Sequence, residues 1–84
     1  MITVYAIRSL KDSRIYVGLT NNLSRRIYQH NSGQQCSTKA YIPYELIYQQ
    51  DFTNRQDARD HEVQLKSGSG KEFLKDLVYL TQSK

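Results

Sequence analysis

The sequence predicts an α/β fold of the α+β kind: a three-stranded antiparallel sheet with helices packed against it, in the order β-β-α-β-α-α. Three observations carry this. Three short stretches alternate in apolar character, three others repeat apolar residues at helical spacing, and polar or glycine-rich breaks separate them. The first strand is residues 2–8, with Ile2, Val4 and Ala6 on one side and Thr3, Tyr5 and Ile7 on the other. Residues 14–18 form the second, joined to the first through the polar turn around Lys11-Asp12-Ser13. Asn21 or Asn22 is suited to cap a helix running to about Asn31, in which Leu23 and Ile27 share a face with Arg26 or His30. Residues 32–43, rich in Ser, Gly and Gln and ending at Pro43, read as a loop. Residues 45–52 alternate again, Leu46, Tyr48 and Gln50 opposite Glu45, Ile47 and Gln49. Thr53-x-x-Gln56 has the form of a capping box opening a helix to about Lys66. Ser67-Gly68-Ser69-Gly70 breaks it, and Ser69-x-x-Glu72 caps a last helix whose apolar face is Phe73, Leu74, Leu77, Val78 and Leu80. A sheet of three strands with one apolar face needs helices over that face for independent stability.

Length and composition narrow the function classes. With 84 residues the chain has material for one domain, 1–84, and one core. No apolar run approaches the ~18 residues of a membrane span, and no basic stretch followed by an apolar segment marks a signal peptide. The lone Cys36 cannot form an internal disulfide and has no Cys/His cluster around it to hold zinc. A reducing, cytoplasmic setting is expected. The net charge of +4 is unevenly spread: residues 1–50 carry six basic and two acidic side chains, residues 51–84 six of each. That excess suits a nucleic-acid partner, although an unevenly charged solvated surface meets the same description.

The polar residues that sit on apolar faces are the candidates for chemistry. In an antiparallel pair, directly opposed residues project to one side. A two-residue turn at Lys11-Asp12 opposes Ile7 to Tyr16 and Tyr5 to Gly18, so Tyr5 and Tyr16 become diagonal neighbours on one face. A four-residue loop with the same centre keeps them together; a three-residue loop separates them. Gly18 leaves its backbone open to approach. Two ordinary strand tyrosines satisfy the pattern equally well. On the first helix, Arg26 and His30 are four apart and lie beside Leu23 and Ile27, while Arg25 and Gln29 take the outer side. A guanidinium there either snorkels or reaches a partner, and its planar fork suits phosphate oxygens. On the second helix, Glu62 shares a stripe with Ala58 and Leu65. An inward carboxylate is costly unless a divalent ion or Arg26 pairs with it, and a rim position is the plain alternative. Two lookalikes fail. His61-Glu62 lacks the second histidine of a zinc-protease motif, Leu65 standing in its place, and Gly68-Ser69-Gly70-Lys71 lacks the Gly and Ser/Thr of a phosphate-binding loop.

Together these residues resemble the GIY-YIG nuclease family, and within it the small single-domain bacterial type. Thr3-Val4-Tyr5 stands where the family has its first motif, Thr3 replacing the glycine, and Tyr16-Val17-Gly18 where it has its second. The run Leu19-Thr20-Asn21-Asn22-Leu23-Ser24-Arg25-Arg26-Ile27-Tyr28-Gln29-His30-Asn31 is similar to the family's helix, with its arginine eight residues past Gly18, at Arg26, and its histidine at His30. Glu62 matches the family's metal-binding glutamate. Ser37-Thr38-Lys39-Ala40, Leu65-Lys66-Ser67-Gly68 and Gly70-Lys71-Glu72-Phe73-Leu74 also look like the small members, so the likeness covers nearly the whole chain. Leu19 stands where some repair-type members carry a lysine, a part for which Lys39 is a candidate substitute.

The resemblance implies a metal-dependent endonuclease hydrolysing phosphodiester bonds in DNA, in repair, recombination or mobile-element processing. A single Mg²⁺ or Mn²⁺ on Glu62 would stabilise the phosphate and leaving group, and Arg26 would clamp a phosphate oxygen. Tyr16 would be general base with Tyr5 as its partner, and His30 would support that network or relay its proton. Phenols ionise near pH 10, so a base of this kind needs a cation or hydrogen bonds nearby. One acidic ligand fits Mg²⁺, which keeps several waters and takes substrate oxygens. Gly18, Arg25 and Lys39 are expected to meet the nucleic acid, and a protein partner is expected to supply specificity. The alternatives are a non-catalytic nucleic-acid-binding module, a nuclease domain inactive without its partner, and a protein-interaction domain using the tyrosines of residues 41–48.

Overall fold

A computed structural model describes residues 1–12, 14–34 and 39–82, the last three of these by backbone alone. Cys36, the Ser13 end of the turn, the Ser37-Thr38 part of the family likeness and the Leu80 side chain lie outside what is described. The elements are β1 (Ile2–Ser9), β2 (Ile15–Thr20), α1 (Leu23–Asn31), a short 3₁₀ turn (Lys39–Tyr41), β3 (Tyr44–Phe52), α2 (Arg55–Lys66) and α3 (Gly68–Gln82). The sheet is antiparallel throughout, in the order β2-β1-β3. The fold class and element order are those predicted. Among the described residues no helix is long and apolar enough to cross a membrane.

The hairpin has the even turn that the tyrosine argument requires. Ser9 donates its amide to the Arg14 carbonyl at 2.8 Å, and Tyr5 opposes Gly18 while Ile7 opposes Tyr16. The strand period then sends side chains both ways, and both faces are covered rather than the single one expected. Val4, Ala6 and Val17 pack with Ala58 of α2 and with Leu65 and Leu74 on one side. Tyr5, Ile7 and Tyr44 pack with Leu23 and Ile27 of α1 on the other. The alternation predicted for β3 is interrupted. Ala6 pairs with Tyr48 and Ile7 with Leu46, so Ile47 is an extra residue and the register shifts. A bulge reverses the side on which later residues project. Tyr44 therefore joins the α1 face and Tyr48 the opposite one, whereas simple alternation put Leu46 and Tyr48 together.

Three caps fix where the helices lie, and two fall a little away from the predicted positions. Asn22 caps α1, its side chain accepting from the Arg25 amide. The other end closes with Gly33 at φ +80°, its amide bonded to the His30 carbonyl and the Gln34 amide to that of Gln29, a Schellman closure that favours glycine. α2 is capped by Asn54, not Thr53: Asn54 Oδ1 accepts from the Asp57 amide at 2.8 Å and its Nδ2 donates to the Asp57 carboxylate at 3.0 Å. α3 starts from Ser67, not Ser69, with Ser67 Oγ accepting from the Gly70 amide. Adjacent Ser, Thr and Asn are all competent caps, so sequence places such a boundary only to within a residue or two.

Candidate active site

Tyr5 comes from the central strand, and its ring lies across Gly18 of the neighbouring edge strand. A Cβ at Gly18 would stand 2.7 Å from the Tyr5 hydroxyl. The backbone expected to be open to nucleic acid is thus buried and covered by Tyr5, and the glycine serves to seat that ring. The hydroxyl meets Nε2 of His30 at 2.9 Å. His30 belongs to the last turn of α1 and is fully buried among three tyrosines, with ring centroids at 5.0 Å from Tyr16, 5.9 Å from Tyr5 and 6.1 Å from Tyr44. Tyr16 is half-buried, 6.5 Å from Tyr5 between centroids.

Charge around this cluster comes from both sides of the sheet. Arg26, half-buried one turn before His30, acts on the imidazole and on the Tyr5 phenol. Burial first, and the Arg26 charge second, hold the His30 imidazole below its ordinary value, which keeps it neutral. Burial pushes the Tyr5 phenol well above its ordinary value, Tyr16 and Glu62 adding to the rise and Arg26 opposing it. Helices on opposite faces thereby influence one hydroxyl. Arg26 and Arg25 also line a polar concavity of about 270 Å³ with Thr20, Asn21, Asn22 and Gln29. Arg25 is exposed there. Lys39 is exposed on the 3₁₀ turn, its stem 3.7 Å from where a Gly33 Cβ would stand, at the other end of α1.

Glu62 is at the rim, its side chain 13% exposed. Its carboxylate is paired with Lys66 at 3.2 Å and more loosely with Arg59 at 3.9 Å, both on its own helix, where the sequence left Arg26, a divalent ion and a plain rim position open. Among the described residues no three His, Cys, Asp or Glu gather as a metal cluster. A protein-only cage is therefore not built among the described residues. One rim carboxylate does fit an ion held jointly with substrate oxygens and water, the manner in which Mg²⁺ binds beside phosphates.

Two contributors went unforeseen. Tyr44, 6% exposed, closes the aromatic box around His30, although the tyrosines of 41–48 had suggested an outward interaction surface. Its place directly after Pro43 at a strand start was the available signal. Asn31 ties α1 to β3 by accepting from the Tyr44 amide at 2.6 Å and donating to its carbonyl at 3.2 Å. No local pattern announces such a pairing.

The arrangement has counterparts. A family model described as the GIY-YIG catalytic domain matches residues 1–75. A UPF0213 protein of Staphylococcus haemolyticus is 36% identical over 73 residues, covering 86% of this chain and 88% of its own. One from Pediococcus pentosaceus is 40% identical over 67 residues, covering 79% and 70%. The solution structure of a UPF0213 protein from Bacillus halodurans aligns at a TM-score of 0.53 and 31% identity, over 92% of this chain and 85% of that one. With the tyrosine pair on one face and the family match running from β1 into α3, the chain belongs to the GIY-YIG nuclease domain family.

Proposed function

We propose that residues 1–84 act as one metal-dependent endonuclease domain hydrolysing phosphodiester bonds in DNA. The observation that supports this best is the hydrogen-bonded Tyr5–His30 pair against a less buried Tyr16. Hydrolysis needs a water relieved of its proton and donors for the charge that develops on phosphate. Tyr5, buried and with its phenol raised, keeps its proton and positions His30. Tyr16 is the general base, and His30 packs against it as a neutral imidazole. Arg26 offers its fork to a phosphate oxygen, with Arg25 beside it in the polar concavity. Glu62 is the residue that would hold a single Mg²⁺ or Mn²⁺, which when bound supplies positive charge at the phosphate and leaving oxygen. Lys39 contributes to nucleic-acid attachment at the far end of α1.

The test is a cleavage panel over duplex, branched and single-stranded DNA and over RNA, in Mg²⁺ and in Mn²⁺. Wild type is expected to cut DNA only with the ion, and Glu62→Ala and Arg26→Ala to lose cleavage while keeping the native circular dichroism spectrum. Cleavage at the wild-type rate in either variant overturns the assignment. One observation favours a second reading, a nuclease domain that waits for a partner: Lys66 and Arg59 already neutralise Glu62. On that reading the isolated chain binds DNA and cuts only when a partner protein draws those cations away.

A further inference from the structure

The cations of the second half of the chain are matched by acids in number but not in position. Arg55, Arg59, Glu62 and Lys66 follow at intervals of four, three and four residues, which aligns them in one stripe along α2, about 16 Å long at ~1.5 Å per residue. Glu62 is the single acid of the stripe. By the same spacing Asp57 and Asp60 fall on the other side of the helix, where Asp57 joins the Asn54 cap and Asp60 accepts from Gln56.

Two clefts flank Glu62 where α2 lies against the edge strand β2. One is lined by Leu19, Arg55, Gln56 and Arg59. The other, about 240 Å³, has Ile15, Val17, Leu65 and Leu74 as an apolar floor and Arg14, Lys66, Lys71 and Lys75 around it. No acid among the described residues lines either cleft. Among the described residues Lys71 and Lys75 have no ion-pair partner, and like charges four apart on a helix repel one another. A polyanion relieves that repulsion. β2 has no further strand beyond it among the described residues, so both clefts open at one sheet edge, and the concavity of Arg25 and Arg26 begins at Thr20, the end of the same strand.

Resting on the reading that the domain acts on DNA, we infer that the β2 edge carries a continuous track for one DNA strand, centred on Glu62. Arg55 and Arg59 take phosphates on one side of that residue. Lys66, Lys71 and Lys75 take them on the other, with sugar faces against the apolar floor. Charge complementarity, with Glu62 the one acid between the two basic clefts, and continuity with the candidate site select a phosphate backbone as the occupant. The track also revises the picture from composition, since it lies mostly in the half whose charges balance.

The experiment is fluorescence anisotropy of a fluorescein-labelled DNA duplex with the full chain, in EDTA so that nothing is cut, across a salt series. Lys71→Gln/Lys75→Gln is expected to reduce the slope of log K against log salt by about 1.8, two contacts at roughly 0.9 each, and Arg55→Gln by about 0.9. Circular dichroism checks that both variants are folded. An unchanged slope in either variant overturns the track while leaving metal-dependent cleavage standing as a separate result. Reduced slopes with no cleavage in any metal support the track and overturn cleavage by the isolated chain, leaving the partner-dependent reading. No binding by wild type, or displacement of the DNA by polyglutamate at equal charge concentration, overturns the track, the latter in favour of an acidic protein.

Discussion

At the residue scale, burial decides what each ionisable group can do. His30 is enclosed by three aromatic rings and faces the Arg26 charge, and both make its imidazolium unfavourable. The imidazole value in the folded chain is therefore below the ordinary 6.5 it takes when unfolded. The unfolded chain then binds the extra proton first, so His30 contributes stability that is present above 6.5 and is lost as pH falls through the folded value. In an NMR titration of the two imidazoles, His30 is expected to titrate below 6.5, with the melting temperature declining over that acid range. A His30 that titrates at or above 6.5 would show that Arg26 and burial do not govern it. Tyr5 has the opposite sign. Its phenol is raised, so its contribution is present up to the ordinary phenol value of 10.0 and is lost as pH rises through the folded value. Much of this cluster was legible from local spacing. The facing of Tyr5 and Tyr16 follows from an even turn, and that of Arg26 and His30 from a four-residue helical interval. Tyr44 and the Asn31 clamp were not legible, because both depend on where β3 begins relative to α1, a contact between segments with no shared period.

At the element scale, packing decides between residues that sequence treats alike. Gly68 and Gly70 both stand in the Ser-Gly-Ser-Gly break, yet their surroundings differ. A Cβ at Gly68 meets nothing within 4 Å, whereas one at Gly70 meets the Gln64 carbonyl oxygen and the Leu65 backbone at distances no real Cβ tolerates. The first turn of α3 crosses the last turn of α2 so closely that only glycine fits there. Gly68→Ala is expected to stabilise by about 0.5–1 kcal/mol through helix propensity, and Gly70→Ala to destabilise by about 1–3 kcal/mol. Urea denaturation of the two variants measures both, and equal effects of one sign would contradict the crossing. Strand and helix existence could be read from periodicity, since period 2 and period 3.6 leave clear marks. The β3 bulge could not, because a register shift is a property of the pair β1–β3 and not of either strand alone.

At the scale of the whole molecule, the sheet acts as a partition whose β2 edge gathers what the two sides supply. α1 delivers Arg26 and His30 on one face, α2 delivers Glu62 from the other, and Tyr5 reaches over Gly18 and feels the charge of both. Glu62 is then the one negative charge in a basic stripe. Such a charge serves an ion-dependent reaction but opposes a phosphate backbone when no ion is present. Removing it releases Lys66 and Arg59 and ends the repulsion. Two unit charges a few ångströms apart in water interact by about 1 kcal/mol, which corresponds to roughly a fivefold change in binding. Glu62→Gln is therefore expected to bind the DNA duplex about fivefold more tightly than wild type in EDTA, while losing cleavage in Mg²⁺. Anisotropy titrations of the two proteins at one low salt concentration decide it. Equal or weaker binding by Glu62→Gln would mean that the carboxylate does not face the strand, and Glu62 would then be no more than a rim residue holding Lys66 and Arg59 on its own helix.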